Sequence, residues 1–286
     1  MTIRNPVEWS ADQVRLTAHA LTSAGHVFRH PEVDVDTAES EVRRIALSDI
    51  KDVLISGLRD FAAYRTDVIF ICLIYPLVGL VLANITLSYG VLPLLFPLLF
   101  GFVLIGPFAA AGLYEMSRRQ EQGKPVSWLD AFGIFGSPSF AAIIKLGLLL
   151  IGIVLLWLAA AMGIYLLTFG RVMPGSAVSF MRDVFTTHAG WTLMGVGLGV
   201  GLLFAAIVFV ISVVSFPLLL DRRVRVMTAV RTSVRAVIRN PIPMLVWALI
   251  VAGSLVLGAI PALVGLIVVM PVLGHATWHL YRKVVG

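Results

Sequence analysis

Four long stretches without any Asp, Glu, Lys or Arg constrain this chain more than any other feature. They run from Val68 to Tyr114, from Leu146 to Gly170, from Val184 to Leu220 and from Asn240 to Tyr281. A helix that spans a bilayer needs about 20 consecutive apolar residues. Each stretch can therefore hold one crossing, and the first and last can each hold two. The pattern predicts a polytopic membrane protein.

Composition and the single cysteine narrow the class of protein further. Of the 286 residues, 59% are hydrophobic and 13% are charged, whereas about 25% are charged in a typical soluble domain. Cys72 is the only cysteine, so an intrachain disulfide is impossible. The first 30 residues contain Glu8, Asp12 and Arg15 and have no apolar core, which argues against a secretory signal peptide there.

Positive charge is unevenly distributed along the chain. Residues 1–67 contain 8 Lys or Arg and 11 Asp or Glu, whereas the remainder contains 14 and 5. Basic residues cluster at 115–125, at 222–239 and at Arg282–Lys283. Because Lys and Arg concentrate in cytoplasmic loops, six crossings would place these segments and both termini in the cytoplasm. An anionic leaflet accounts for the basic charge, so no nucleic-acid partner is predicted.

The predicted fold is all-α, with six transmembrane helices and amphipathic helices on the cytoplasmic side. Residues 1–47 are predicted to form an N-terminal cytoplasmic helix and an acidic linker, and residues 48–286 the membrane domain. Pro93, Pro97 and Pro107 predict kinks in the second crossing, because each proline removes a backbone donor. The predicted crossings are about 68–88, 91–113, 140–166, 191–220, 243–258 and 261–280.

Capping signals predict where several helices begin and end. A helix is expected at about 10–29, before the acidic linker. Ser48 or Asp49 is predicted to cap an amphipathic helix, and Ser127–Asp130 has the spacing of a capping box. Glu115–Lys124 is predicted to be a charged loop. Residues 243–280 are too long for one crossing, which favours two helices joined near residues 258–261.

An amphipathic helix followed by a membrane hairpin recurs three times in this prediction. The units cover about 48–114, 127–220 and 224–281. Pro107 precedes Arg118–Arg119 by the same offsets that separate Pro271 from Arg282–Lys283. These matches indicate a three-fold internal repeat. The alternative is that every membrane hairpin needs similar residues at its boundaries.

Six arginines between two uncharged stretches form the strongest candidate site. On a helix, an apolar stripe would run from Met227 to Ile238, with arginines at a spacing of four beside it. Such a helix is typical of the headgroup layer, where guanidinium groups bind lipid phosphates. We therefore predict anionic lipids as ligands. The predicted headgroup-binding residues are Arg222, Arg223, Arg225, Arg231, Arg235 and Arg239.

Two histidines near the end of the chain are a weak candidate metal or haem site. His275 and His279 are four residues apart, a spacing that could share a metal or face a haem. No Asp, Glu or Cys lies near them in the sequence, and Trp278 and Tyr281 indicate an interfacial belt. The sequence therefore predicts no metal site and no cofactor.

A lone charge and a glycine run have structural interpretations that outweigh functional ones. Lys145 lies about five residues inside the third predicted crossing, where an intramembrane charge can mark a site. At that depth its side chain can also reach the interface, which we favour. Glycines alternate over residues 195–201, but inside a crossing they indicate close helix packing rather than nucleotide binding.

Five stretches are distinctive in combination, namely Ile3–Trp9, Cys72–Leu80, Gly112–Arg119, Ser215–Asp221 and Leu273–Arg282. Together they resemble an uncharacterised bacterial family of predicted integral membrane proteins, domain-of-unknown-function family 2189. The resemblance implies a bacterial inner-membrane location and carries no catalytic residue. Some relatives are labelled as cytochrome oxidase subunits, but an oxidase core needs several intramembrane histidines, and here only His275 comes near that description.

No catalytic constellation is recognisable, so the leading functional hypothesis is non-enzymatic. We predict a scaffold, assembly or accessory factor for other membrane components, with a membrane protein as a partner. The alternative is a transporter or lipid-handling protein with a passage between proline-kinked helices. A third hypothesis is a redox subunit that uses His275 and His279. A tightly packed bundle would favour the scaffold, and a wide lateral opening would favour the passage.

Overall fold

The structure is a computed structural model that describes residues 41–64, 69, 72–88, 91–171, 173–261 and 263–285. Every regular element among these residues is a helix, which confirms the predicted all-α class. The predicted helix at about 10–29 lies outside the described residues. The α-helices are α1 (Leu47–Ala63), α2 (Ile74–Ser88), α3 (Leu95–Leu104), α4 (Gly106–Ala109), α5 (Ala111–Glu121), α6 (Phe140–Phe169), α7 (Ala177–Thr186), α8 (His188–Ser212), α9 (Ser215–Asp221), α10 (Val226–Arg239), α11 (Pro241–Ala259) and α12 (Leu266–Val285). Two 3-10 helices cover Leu92–Leu94 and Trp128–Gly136.

Three helical stretches among the described residues are long and apolar enough to cross a membrane. They are Phe140–Phe169 with 30 residues, His188–Asp221 with 34 and Pro241–Ala259 with 19. Shorter apolar helices cover Ile74–Leu87 and Leu92–Leu104. These stretches agree with the predicted membrane class, and the count of six crossings stays a prediction.

The second predicted crossing is interrupted, as its prolines predict. The helical path from Leu92 turns at Ile105 and again at Ala110, on either side of Pro107. Beyond these turns, α5 continues to Glu121, so the prediction of a charged loop from Glu115 onward is wrong. The helix persists because its charged residues find partners within the fold, as the ion pairs described below show.

A break at Val213 and Val214 separates α8 from α9, and a side chain from α10 stabilises it. Pro217 has no N–H group to donate to the preceding turn. The hydroxyl of Ser233 donates to the carbonyl of Val210 at 2.7 Å and accepts from the N–H of Val214 at 3.2 Å. One buried serine thus satisfies backbone groups on both sides of the break.

Helix α1 begins earlier than predicted. Its first residue is Leu47, and the carboxylate of Asp49 accepts from the N–H of Ala46 at 2.7 Å. Asp49 therefore acts from the third helical position rather than as the cap itself, which corrects the predicted cap at Ser48 or Asp49. The capping box at Ser127 is confirmed, because Asp130 accepts from the N–H of Ser127 at 2.8 Å.

The segment before α1 is fixed to parts of the chain that come about 200 residues later. The amide of Asn240 donates to the carbonyl of Arg43 at 3.0 Å and accepts from the N–H of Ile45 at 2.8 Å. The N–H of Arg43 donates to the carbonyl of Val284 at 2.7 Å. Helix α1 then packs more extensively on α12 than any other two elements pack. A Cβ atom built on Gly57 would lie 2.6 Å from the Cβ of Ala276, so glycine permits this close approach.

Residues 241–285 form two helices, α11 and α12, as the length argument favours. They are separated at residues 260–265, where Leu263 has a φ of 68°. Gly258 and Gly265 meet across the turn, with a Cβ on Gly265 falling 2.7 Å from the Cα of Gly258. A side chain at Gly265 would clash with this backbone, whereas a Cβ on Gly258 would come no closer than 3.1 Å to any neighbour.

Two regions of the core are densely packed, one at α9 and one around Trp157 of α6. Every residue of α9 from Ser215 to Leu220 is buried. Trp157 of α6 lies between α3 and α8 and is 2% exposed. Its indole N–H donates to the carbonyl of Pro97 at 3.0 Å, while Gly101 and Gly201 make room for its ring and its neighbours. A tryptophan therefore fills the space between the helices.

The predicted repeat units share an order of elements. In each, one helix (α1, the second 3-10 helix or α10) precedes at least two further helical stretches. The middle unit differs, because its short helix is 3-10 and its hairpin contains the additional helix α7. The repeat itself stays a prediction.

Candidate functional site

Helix α10 presents its arginines on a face that points away from the bundle. Its small residues Ala229, Thr232, Ser233 and Ala236 are buried against the neighbouring helices. The ends of the predicted apolar stripe, Met227 and Ile238, are 61% and 72% exposed. The helix thus has a docked face of small residues and an outward face that is partly apolar and partly cationic. This is the arrangement expected of a helix in a headgroup layer.

The six predicted headgroup residues fall into two groups. The first group consists of Arg222, Arg223 and Arg225, which lie where α9 ends and the chain continues into α10. Arg222 is half-buried and donates to the carbonyl of Val285 at 3.3 Å. The second group consists of Arg231, Arg235 and Arg239, which lie along α10. The exposed members of the two groups are Arg223, Arg225, Arg231, Arg235 and Arg239.

A cleft of about 340 Å³, which the sequence does not predict, lies beside the first group. Glu115 lines the cleft and is 5% exposed. Arg118 contacts both carboxylate oxygens of Glu115 at 2.8 and 3.1 Å, and Arg119 contacts one of them at 3.2 Å. Arg119 also reaches Asp130 at 2.6 Å. The buried acid therefore holds two guanidinium groups in fixed positions, as charge-assisted bonds do.

A second set of ion pairs joins α12 to the ends of α5 and α9. Arg282 donates to Glu121 at 2.9 Å and lies 3.5 Å from Asp221. Tyr281 donates its hydroxyl proton to Asp221 at 2.6 Å, and the indole of Trp278 donates to Glu121 at 3.1 Å. Charged residues that the sequence places far apart therefore meet at one end of the helices.

The two predicted histidines join a buried polar cluster with Asp60 of α1 and Ser117 of α5. One carboxylate oxygen of Asp60 accepts from the Ser117 hydroxyl at 2.8 Å and lies 2.8 Å from Nε2 of His279. Nδ1 of His275 lies 2.7 Å from the same hydroxyl. Asp60, Ser117 and His275 are 5%, 1% and 0% exposed. The carboxylate that sequence proximity did not reveal is supplied by a helix 219 residues away.

Proton counting assigns the hydrogen bonds of this cluster. Ser117 has one hydroxyl proton, and it donates that proton to Asp60. His275 must therefore donate from Nδ1 to Ser117, which leaves Nε2 of His275 as an acceptor. That atom is buried and has no hydrogen-bond partner among the described residues.

Each histidine of the pair has one ring nitrogen already engaged in a hydrogen bond, so that nitrogen is not available to a metal or a haem iron. Nε2 of His279 is engaged by Asp60, and Nδ1 of His275 is engaged by Ser117. Within the described part of the chain, no group of three or more His, Cys, Asp or Glu side chains is placed to hold a metal ion. The cluster's contacts instead join α1, α5 and α12, as expected of a structural polar network.

A third contact between α1 and α12 lies nearer the surface. The ammonium group of Lys283 donates to Asp49 at 2.6 Å and to Asp52 at 3.1 Å. The hydrogen bond from Lys283, with a second from the N–H of Ala46, lowers the pKa of the Asp49 carboxyl. The same bond to Asp49, supported by Asp52, raises the pKa of Lys283.

Lys145 and the glycine run occupy less constrained positions. Lys145 is exposed, little more than one turn after α6 begins at Phe140. Of the four glycines, only Gly201 has a neighbour within contact distance of a Cβ, namely the ring of Trp157 at 3.1 Å. Packing therefore explains one glycine of the run. The contacts of the described residues do not explain the other three.

Comparison with known proteins supports the resemblance over the middle of the chain. The model of a family described as predicted integral membrane protein (DUF2189) matches residues 94–221. This range contains the cleft residues of α5, the second 3-10 helix and all of α6 to α9. No curated protein and no solved structure matches the chain.

Proposed function

On the premise that the chain is an integral membrane protein, we propose that it is a non-enzymatic scaffold or accessory factor for other membrane components. It would cross a bacterial inner membrane six times, with both termini and the arginine-bearing face in the cytoplasm. The resemblance to the integral membrane family and the three long apolar stretches support this placement. The positions of the basic segments support the orientation.

The outward face of α10 is the observation that carries the proposal. The docked small residues fix α10 to the bundle, so the arginines cannot turn inward without unpacking Ala229, Ser233 and Ala236. Anionic headgroups are the chemistry that such a face recognises. A helix fixed in this way holds the rest of the fold at a constant depth and orientation, which is what a scaffold needs.

The packing around Trp157 favours a scaffold over a passage. Pro97 and Trp157 are hydrogen-bonded to each other where kinked helices would have to open, and the indole fills that space. Burial also argues against hydrolysis at the Ser117 cluster, because a hydroxyl that is 1% exposed cannot reach a substrate. A second candidate, lipid handling, is favoured by the arginine-lined cleft.

Native mass spectrometry of the protein extracted with its surrounding bilayer tests the proposal. We expect one or more membrane proteins in a fixed ratio to the chain, together with enrichment of anionic lipid. Absence of any protein in fixed ratio would contradict the scaffold. The test variant reverses the charge of Arg231, Arg235 and Arg239, each of which should contribute about 1 kcal/mol of attraction to an anionic surface.

The matched control reverses Arg171 and Arg182, which are exposed at the other end of α6 and on α7. We expect the triple variant to lose anionic lipid and the control to keep it. Equal lipid retention in the triple variant and the wild type would refute the headgroup role of α10.

A further inference from the structure

The second 3-10 helix has three distinct faces, because a 3-10 helix repeats every three residues. One face carries Leu129, Phe132 and Phe135, which are 60%, 49% and 64% exposed. The next residue along in each turn belongs to a second face, formed by Asp130 and two glycines that line the cleft. Ala131 and Ile134 are buried on the third face. An apolar surface therefore lies directly beside a cationic cleft.

The cleft is lined by more positive than negative charge. Arg118, Arg119, Arg222 and Arg223 line it together with Glu115 and Asp221. Counting Asp130, which pairs with Arg119 at 2.6 Å, one positive charge is in excess. Each guanidinium group has five N–H donors. Those of Arg118 bond to Glu115 and the carbonyl of Leu220, and those of Arg119 bond to Glu115 and Asp130. The volume of the cleft, about 340 Å³, is within the range of small-ligand sites.

Small residues also line the cleft. Gly133 and Gly136 expose backbone there, followed by Ser137 and Ser139 with their hydroxyl groups. Helix α6 begins at Phe140, so the positive end of its dipole also adjoins the cleft. An anion in the cleft would therefore have both guanidinium and hydroxyl groups among its neighbours.

We propose that this cleft binds the phosphate group of one anionic membrane lipid, whose acyl chains lie along Leu129, Phe132 and Phe135. The proposal rests on the proposed function, since it assumes that this end of the helices lies in the headgroup layer. It goes beyond the outward face of α10, which would attract many lipids without fixing any of them. The aromatic face distinguishes a lipid from a soluble phosphate, because only the lipid gains from apolar contact.

Gly136 provides a variant that fills the cleft without disturbing the fold. A Cβ atom at Gly136 would have no heavy atom within 4 Å, so a phenylalanine there can occupy the cleft. Gly175, in the connection between α6 and α7, has the same open surroundings and gives the matched control Gly175→Phe. A second variant, Arg223→Gln, removes an exposed charge from the rim.

The experiment is a lipid titration of delipidated protein followed by native mass spectrometry, with phosphatidylglycerol as probe and phosphatidylcholine for comparison. We expect one tightly held phosphatidylglycerol per chain in the wild type and in Gly175→Phe. In Gly136→Phe the affinity for that lipid should fall at least about tenfold, and in Arg223→Gln about three- to tenfold, near the 1 kcal/mol expected of one basic residue. Thermal unfolding would verify that both cleft variants are folded.

Three results would overturn the proposal. One is unchanged binding of the tight lipid in both cleft variants. Another is equal retention of phosphatidylcholine. The last is displacement of the lipid by inorganic phosphate at an equal concentration, since the cleft would then serve a soluble anion. Loss of the single tight lipid in Gly136→Phe is separable from the many weaker lipids that charge reversal on α10 removes, so the two proposals can fail independently.

Discussion

At the scale of single residues, Asn240 joins three parts of the chain. Its amide is 3% exposed and satisfies a carbonyl and an N–H group of the segment before α1. We expect Asn240→Ala to lower the free energy of unfolding by about 1–3 kcal/mol, because buried backbone groups would lose their partners. Unfolding of the protein in lipid nanodiscs would measure this change. The exposed Gln122→Ala is the control, and we expect it to stay within about 0.5 kcal/mol of the wild type.

The contact between Asp49 and Lys283 predicts a pH dependence of stability. Because the pKa of Asp49 is lowered in the folded state, its contribution is present above the unfolded pKa of about 4 and is lost as pH falls through the folded value. Thermal unfolding between about pH 7 and pH 3 should therefore show the wild type approaching Asp49→Asn at the acid end. In a Lys283→Gln background the effect of Asp49→Asn should shrink, and an effect of unchanged size would rule out the pairing.

Individual residues also mark the limit of what the sequence predicts. The histidine pair and the capping box at Ser127 can be recognised locally, because their spacing is short. Asp60 and Ser117 cannot be assigned to the histidines in this way, because periodicity identifies the face of a helix and not the helix that covers it. An acidic residue on the apolar side of α1 is the only local signal, since a buried carboxylate needs a partner.

At the scale of helices, the contact between α1 and α12 depends on Gly57. A Cβ atom there would lie 2.6 Å from the Cβ of Ala276 and 2.7 Å from its backbone nitrogen, so the helices would have to separate. We expect Gly57→Ala to cost about 1–3 kcal/mol of unfolding free energy, as overpacking does. Gly152→Ala, with no heavy atom within 4 Å, should instead be neutral or stabilising by up to about 1 kcal/mol. Equal effects of the two substitutions would contradict this packing.

The helices also show why apolar runs are easier to interpret than charged segments. Uncharged stretches specify helices by length alone, and α6 and α11 lie where the sequence predicts them. The charges of Glu115–Lys124 predict a loop, yet Glu115–Glu121 is helical, because Arg118 and Arg119 neutralise the buried Glu115. The face of α10 that packs on the bundle consists of two alanines, a threonine and a serine, which hydrophobic periodicity does not detect.

At the scale of the whole molecule, the proposed topology predicts opposite labelling at the two ends of α6. Lys124 and Gly175 are exposed before and after this helix, while the native Cys72 is 0% exposed. In intact cells, we expect an impermeant thiol reagent to label Gly175→Cys directly and Lys124→Cys only after permeabilisation. Labelling of both positions from the same side would contradict six crossings with a cytoplasmic arginine face.

The long-range contacts of α1 have a consequence for how the molecule is made. Asp60 meets His279 only after another 219 residues have been synthesised, which takes about 10–45 s at ribosomal rates of about 5–20 residues per second. During that time Asp60 has Ser117 of α5 within reach but lacks His279, and α1 lacks its extensive contact with α12. Assembly should therefore finish when α1 closes over α12 from the membrane surface, as the last step after insertion of the hairpins. Biogenesis thus has a waiting period in which α1 can be held by a chaperone or lost to aggregation.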